Sequence, residues 1–218
     1  MSLCGSERSA RRFFVGRGAV SYSHSMLRRV SVELLADRGH YERVTKAVLN
    51  ARQSVWIATA NLKELMVEDP NVRPGRRRTR RSHYRSVLEV FGELAKAGVE
   101  LRLLHASAPS RPFRRSLDSE PELVSGGLQM RMCPRVHLKT VVVDARLVYL
   151  GSANWTGAGL GAKGDGRRNF EMGIVTSDEL TIDAVQDRFD RIWRGAECGD
   201  CRLRDECEMP LDEIERAS

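Results

Sequence analysis

The chain has 218 residues and 24.5 kDa, enough at ~150 residues per domain for one full domain with short appendages and a core that needs no staples. Hydrophobic residues make up 41% and charged residues 30%, with a mean hydropathy of -0.39, which excludes a disordered, collagen-like or coiled-coil chain. No run approaches the ~18 to 20 uninterrupted apolar residues of a membrane-spanning helix, and a net charge of +7 favours polyanionic partners, nucleic acid or acidic lipid headgroups.

Met1 to about Arg29 carries a single acidic residue, Glu7, several arginines and serines, and no apolar period. An organelle transit peptide, a disordered basic arm and a start codon upstream of a true beginning at Met26 all produce this pattern, the last two being preferred; there is no secretory apolar region. From Tyr41 the spacing of Val44, Ala47, Val48 and Ala51 predicts a helix, and Ser54 to Ala60 predicts a buried strand. Between Val72 and Arg85 stand Arg73, Arg76, Arg77, Arg78, Arg80, Arg81 and Arg85 with Pro74, Gly75 and no acid, an exposed basic loop.

Tyr84, Val87, Leu88, Phe91, Leu94 and Ala95 predict an amphipathic helix stopped by Gly98, followed by a strand over Val99 to His105. Ala106 to Gly127, with three prolines and Arg111, Arg114 and Arg115, reads as a loop. Strands are expected over Leu128 to Met132, Val136 to Val143 and Leu147 to Leu150, the last two joined at Asp144 to Arg146. After the Gly-rich stretch from Gly157 to Arg168 come a strand over Met172 to Val175 and a helix with Leu180, Ala184, Val185, Phe189, Ile192 and Trp193 on one face. About six strands with helices outside them make an α/β domain.

The chemistry concentrates in one stretch. Side chains two apart in a strand share a face, so His137 and Lys139 project together while Leu138 turns away. After the Asp144 turn the return strand brings Ser152 and Asn154 toward the same end. A neutral imidazole can attack phosphorus while a lysine and an amide hold the non-bridging oxygens. Glu171, two residues after Asn169, is placed to accept the other imidazole N–H and fix the tautomer.

The pattern HxK(x)4D(x)6GSxN with a following Asn-Phe-Glu resembles the HKD signature of the phospholipase D superfamily, with likeness from about Tyr41 to Trp193. The resemblance implies a phospholipase D-like mixed sheet and divides the chain into a basic extension over 1–35, a catalytic domain over 36–196 and a Cys-rich tail over 197–218. It also implies that His137 becomes a covalent phosphohistidine, a second such histidine protonates the leaving group, and water releases the product without a metal or other catalytic cofactor. Lys139 and Asn154 then bind phosphate, Ser152 supports the pocket, Glu171 orients His137 and Asp144 pins local structure. Because the chain carries one motif where tandem relatives carry two, a twofold homodimer is expected. Small single-motif relatives include nonspecific endonucleases and a mitochondrial type linked to small-RNA production or cardiolipin hydrolysis, from which this chain departs in lacking an apolar N-terminal anchor.

Arg76, Arg77, Arg78, Arg80, Arg81, Arg114 and Arg115, together with Arg167 and Arg168, are candidates to track a phosphodiester backbone; the bland alternative is that they are solvated loop residues. Of the aromatics, only Tyr84, Phe113 and Trp155 fall near these loops, too few to argue sequence-specific reading of a single strand. A cytoplasmic nuclease on DNA or RNA is therefore expected, with a phospholipase D on lipid headgroups or cardiolipin as the second enzyme reading and a non-catalytic nucleic-acid-binding module as the third. Cys198, Cys201 and Cys207 form a CxxC(x)5C array similar to part of the iron-sulphur staple of RecB-type and CRISPR-associated nucleases. Either zinc or a cluster suits it as a structural clamp, with Cys133 or Cys4 as fourth ligand; unliganded thiols are the other reading.

Overall fold

A computed structural model describes residues 27–69 and 83–217. Within them β2 (Ser54–Thr59), β5 (Glu100–His105) and β6 (Gln129–Met132) run parallel, and β7 (Thr140–Val143) joins β2 antiparallel. An antiparallel succession of β7, β8 (Leu147–Gly151), β9 (Met172–Thr176) and β1 (Glu33–Ala36) completes a seven-stranded mixed sheet ordered β1-β9-β8-β7-β2-β5-β6.

Both faces of this sheet are covered, which is why its inner strands read as nearly continuous apolar runs. Val55, Ile57, Leu101, Leu103, Val141 and Val143 bury one face against the π-helical turn Tyr41–Thr45, α1 (Lys46–Leu49), α2 (Val87–Lys96) and α3 (Arg111–Asp118). Trp56, Ala58, Leu104, Val142 and Val148 bury the other against Ile182, Phe189 and Trp193 of α4 (Glu179–Trp193) and Leu211 of α5 (Leu211–Ala217). The helix starts are chemically marked. Ser86 accepts the Leu88 N–H while Glu89 takes the Ser86 N–H, a capping box, and Asp178 accepts the Thr181 N–H at 2.8 Å.

Four expectations are corrected. Glu33–Ala36, mostly inside the stretch read as an extension, is an edge strand paired with β9. The sheet thus has seven strands, and Met66–Glu68 (β3) pairs with Tyr84–Ser86 (β4) in a second, two-stranded sheet. The stretch read as a loop over Ala106 to Gly127 contains α3, started by Ser110 accepting the Phe113 N–H, and a helical turn at Leu123–Gly127. The strand expected over Val136 to Val143 begins only at Thr140, because the chain before it passes beyond the end of β2, where Ala58 is the last residue paired with it. Residues 70–82, with Arg76, Arg77, Arg78, Arg80 and Arg81, and Cys4 in the N-terminal stretch lie outside the described residues. Among the described residues no helix is long and apolar enough to cross a membrane.

Candidate functional site

The carboxyl ends of parallel strands β2 and β5, the start of β7 and the end of β8 meet at one edge of the sheet, the edge at which open α/β sheets bind ligands because their loops, not their cores, supply the side chains there. His137 and Lys139 arrive just before β7 on an extended segment that keeps strand alternation. Val136 is buried and Leu138 packs into the α4 side, whereas His137 is exposed and Lys139 half-buried on the opposite side. Lys139 Nζ donates to the His137 carbonyl at 2.8 Å, tying the two motif residues together. Burial pulls the Lys139 ammonium below the ordinary lysine range, with the Glu171 carboxylate pulling the other way.

The segment after β8 is positioned by backbone-deep packing. Tyr149 is buried, and its hydroxyl accepts the Ala153 N–H at 3.1 Å, fixing the turn that presents Ser152 and Asn154. Burial pushes the Tyr149 phenol up to about 12, opposed by that N–H. A Cβ at Gly151 would approach the Tyr149 ring at 2.6 Å and the Met172 carbonyl at 2.7 Å, so only glycine lets the chain cross the tyrosine. Asn154 Oδ1 receives Ala60 N at 3.1 Å and Asn61 N at 3.0 Å and lies 3.2 Å from the Thr59 hydroxyl, which itself accepts the Trp155 N–H at 2.9 Å. With its oxygen engaged in this way, Asn154 has its amide NH2 to offer an anion.

Glu171 is held at both oxygens. Asn169 Nδ2 donates to Oε1 at 3.0 Å and the Ser152 hydroxyl donates to Oε2, while Ser152 Oγ accepts the Met172 N–H at 3.1 Å. Among the described residues no hydrogen bond joins Glu171 to His137; the structure gathers Ser152, Asn169 and Glu171 into one network.

Asp144, grouped on sequence with the catalytic residues, lies just past the end of β7 opposite to the one that follows Lys139. Its carboxylate accepts the N–H groups of Arg52 (3.1 Å), Gln53 (2.7 Å) and Ser54 (2.9 Å), where the chain enters β2. Burial alone would raise this carboxyl, but the three N–H donors outweigh it and hold it below the ordinary range. Asp144 (φ 53°) and Ala145 (φ 50°) form the two-residue left-handed turn that joins β7 to β8. The local-structure role expected for Asp144 therefore has a definite partner, the start of β2.

From Asn154 a polar groove of about 170 Å³ runs outward between Asn61, Lys63, Lys163 and Asn169. Neither lysine was singled out on sequence, since isolated lysines in loops carry no periodic signal. Arg167 is exposed, Arg168 pairs with Asp165, and Arg111, Arg114 and Arg115 are exposed on α3. Ser116 of that helix bonds to Glu64, whose residue lines the groove. Phe113 and Trp155, considered as stacking aromatics, are core residues at 0% and 1% exposure, and Trp155 packs on Phe91. Tyr84, the third candidate, is 38% exposed, and Phe170, fully open beside Glu171 with Met172 59% exposed next to it, is a further exposed aromatic. His105 was also missed. Buried at the end of β5 opposite Thr59, it places Nδ1 2.9 Å from the Ser107 carbonyl, and burial keeps its imidazole below the ordinary range.

Cys198, Cys201 and Cys207 lie on one side of the tail and face Cys133, which precedes the HxK segment; all four are free thiols lining one small cavity. Among the described residues no three or more Cys, His, Asp or Glu side chains are already arranged to hold an ion.

A family model described as "Cardiolipin synthase, PLD-like domain" matches residues 44–193. A "Mitochondrial cardiolipin hydrolase" from Chlamydomonas reinhardtii is 27% identical over 107 residues, 49% of this chain and 45% of that protein, so the match spans less than half of the curated relative. Two solved structures, NucT from Helicobacter pylori and the phospholipase D family member Nuc from Salmonella typhimurium, each share the fold with a TM-score of 0.51 at 16% identity. They cover 75% and 76% of this chain, respectively, and 95% of their own.

Proposed function

The chain belongs to the phospholipase D-like family, and on that premise we propose that it is a phosphodiesterase that cleaves nucleic acid through a phosphohistidine formed on His137. The observation that carries the nucleic-acid reading is the groove at Asn154. It is walled by Lys63 and Lys163 and by amide side chains, a lining suited to a charged backbone and poor for acyl chains. Net charge of +7 acts in the same direction.

In the proposed reaction the phosphate lies against the Lys139 ammonium and the Asn154 amide, which stabilise the charge that builds on its non-bridging oxygens. A neutral His137 nitrogen attacks phosphorus; the P–O bond to the leaving alcohol breaks, and that oxygen takes a proton from the partner's His137. Water then attacks the phosphohistidine, passes its proton to the same imidazole, and leaves a phosphate monoester and a regenerated His137. Ser152 and Asn169 hold the Glu171 side chain at the rim beside these groups.

This chemistry needs two imidazoles and the chain supplies one motif, so the active species is a homodimer. Exposed Phe170 and Met172 beside the site supply apolar surface for a second copy to cover. The same two residues favour the second reading, hydrolysis of a phospholipid headgroup, if they face a bilayer instead, and the curated relative supports that reading.

Purified protein is assayed in EDTA on plasmid DNA, single-stranded RNA and phospholipid vesicles containing cardiolipin, alongside His137→Asn. Nucleic-acid cleavage by a dimer, lost in His137→Asn with the fold intact, is expected. Hydrolysis of lipid alone establishes the second reading. Nucleic-acid binding with no turnover on any substrate establishes a binding module and overturns both.

A further inference from the structure

We propose that Cys133, Cys198, Cys201 and Cys207 bind one structural zinc ion that staples the C-terminal tail to the segment carrying His137 and Lys139. Four free thiols from three separate stretches of chain line a single cavity of about 30 Å³, walled by Pro134, Leu203, Pro210 and Leu211. Cys133 lies within electrostatic reach of all three tail thiols, although at least 65 residues separate it from them in sequence.

The local backbone is already shaped for thiolates. The Arg135 N–H bonds to the Cys133 sulfur and the Leu203 N–H to the Cys201 sulfur, in each case from two residues further on, and the Arg135 guanidinium also donates to Cys201. Such donors orient each sulfur. The Cys201 N–H bonds back to the Cys198 carbonyl at 3.3 Å, a tight turn that sets the two sulfurs on the same side of the chain.

Beyond Leu211, Cys198 and Ile214 in the apolar cluster with Trp193, the tail has few fixed contacts. Between α4 and α5 the described chain forms only the 3-10 turn Arg204–Glu206, and Met209 is 60% exposed. Arg204 pairs with Asp212 at 2.9 Å and Glu213 at 3.2 Å, but partly exposed ion pairs contribute only ~0 to 1 kcal/mol each. A staple is what short segments of this kind require.

The donor set points to zinc. Four thiols around one small, mostly apolar cavity match the closed four-sulfur set of a structural zinc site, the simpler of the two occupants because it brings no sulfide of its own. Capture of the ion needs the thiols to turn inward, since among the described residues they are not yet in a coordinating set.

The consequence reaches the site. Cys133 is four residues before His137, and Val136 and Leu138, which flank His137, pack in the same apolar cluster as Trp193, Leu211 and Cys198. The ion would thus hold the motif segment from behind without touching substrate, whichever phosphodiester the site cleaves.

The full chain, carrying Cys4→Ser so that only these four thiols remain, is purified from medium holding both zinc and iron and analysed by elemental mass spectrometry. One zinc per chain without acid-labile sulfide is expected. Titration with an organomercurial in the presence of a zinc indicator should release that zinc as the four thiols react, and Cys201→Ser should lose most of it. Should Cys201→Ser fail to fold, the titration on the four-thiol protein decides. A folded, metal-free protein with four freely reactive thiols overturns the proposal, as does iron with equimolar sulfide, or zinc retained undiminished by a folded Cys201→Ser.

Discussion

Replacing Asp144 by asparagine separates a structural carboxylate from a catalytic one. Asparagine tolerates the left-handed backbone at this position (φ 53°) and keeps the size of the side chain, so the change removes charge and half of the acceptor capacity and little else. In the parent the carboxylate binds three successive N–H groups at 2.7 to 3.1 Å. Hydrogen bonds to a charged group contribute ~1.5 to 3 kcal/mol each when shielded, and partial exposure to water reduces that sum, leaving a net loss of about 2 kcal/mol. For a chain of 218 residues that corresponds to a fall in Tm of about 4 to 8 °C. The folded-state pKa of Asp144 is depressed, so its contribution is present above the unfolded value of ~3.9 and is lost as pH falls through the folded value. Urea unfolding of the two proteins should therefore differ at pH 7 and converge in acid, while turnover by folded Asp144→Asn stays within about twofold of the parent, given that Asp144 and Lys139 flank opposite ends of β7. Equal stability at pH 7, a gap that persists unchanged into acid, or a hundredfold loss of turnover in fully folded protein would refute the assignment.

Three further outcomes are expected. The alkaline limb of kcat/KM should begin below the ordinary lysine range of ~10.4, because loss of the Lys139 proton removes the charge that holds phosphate; in Lys139→Arg whatever activity remains should show no such limb, and an unmoved limb assigns it elsewhere. Lys63→Ala and Lys163→Ala should each flatten the dependence of log K for nucleic acid on log salt by about 0.7 to 0.9, measured by fluorescence anisotropy, and an unaltered slope removes the groove from the binding path. Tyr149→Phe leaves the Ala153 N–H unpaired in a buried turn and should cost about 1 to 3 kcal/mol in chemical denaturation while lowering kcat through misplacement of Asn154; neither change would mean that the phenol oxygen does not set the turn.

That His137 and Lys139 share one side of the chain was legible without coordinates, because a strand puts residues two apart on one side, and that rule survives even though the ladder itself starts at Thr140. The β1 strand was not legible: Glu33–Ala36 is short, exposed at three of its four positions, and defined by pairing to a strand some 140 residues later rather than by its own pattern. The α3 helix was hidden by its polarity, since only Phe113 of its eight residues is buried and Pro112 reads as a breaker, although proline is at home in a first helical turn.

Composition, periodicity and the spacing of a few polar residues by themselves determined the α/β architecture, the motif and the family, because strand and helix periods are local properties and a reactive constellation demands fixed intervals along the chain. Only the tertiary structure decided that Asp144 anchors the start of β2 away from the reactive edge, that Tyr149 underlies Gly151, that Lys63 and Lys163 wall the groove, and that Cys133 faces the tail. Apart from Tyr149 beneath Gly151, where the packing and not the distance along the chain is tertiary, each of these is a contact between stretches far apart in sequence. Its energy depends on how the sheet is ordered, which no local pattern encodes.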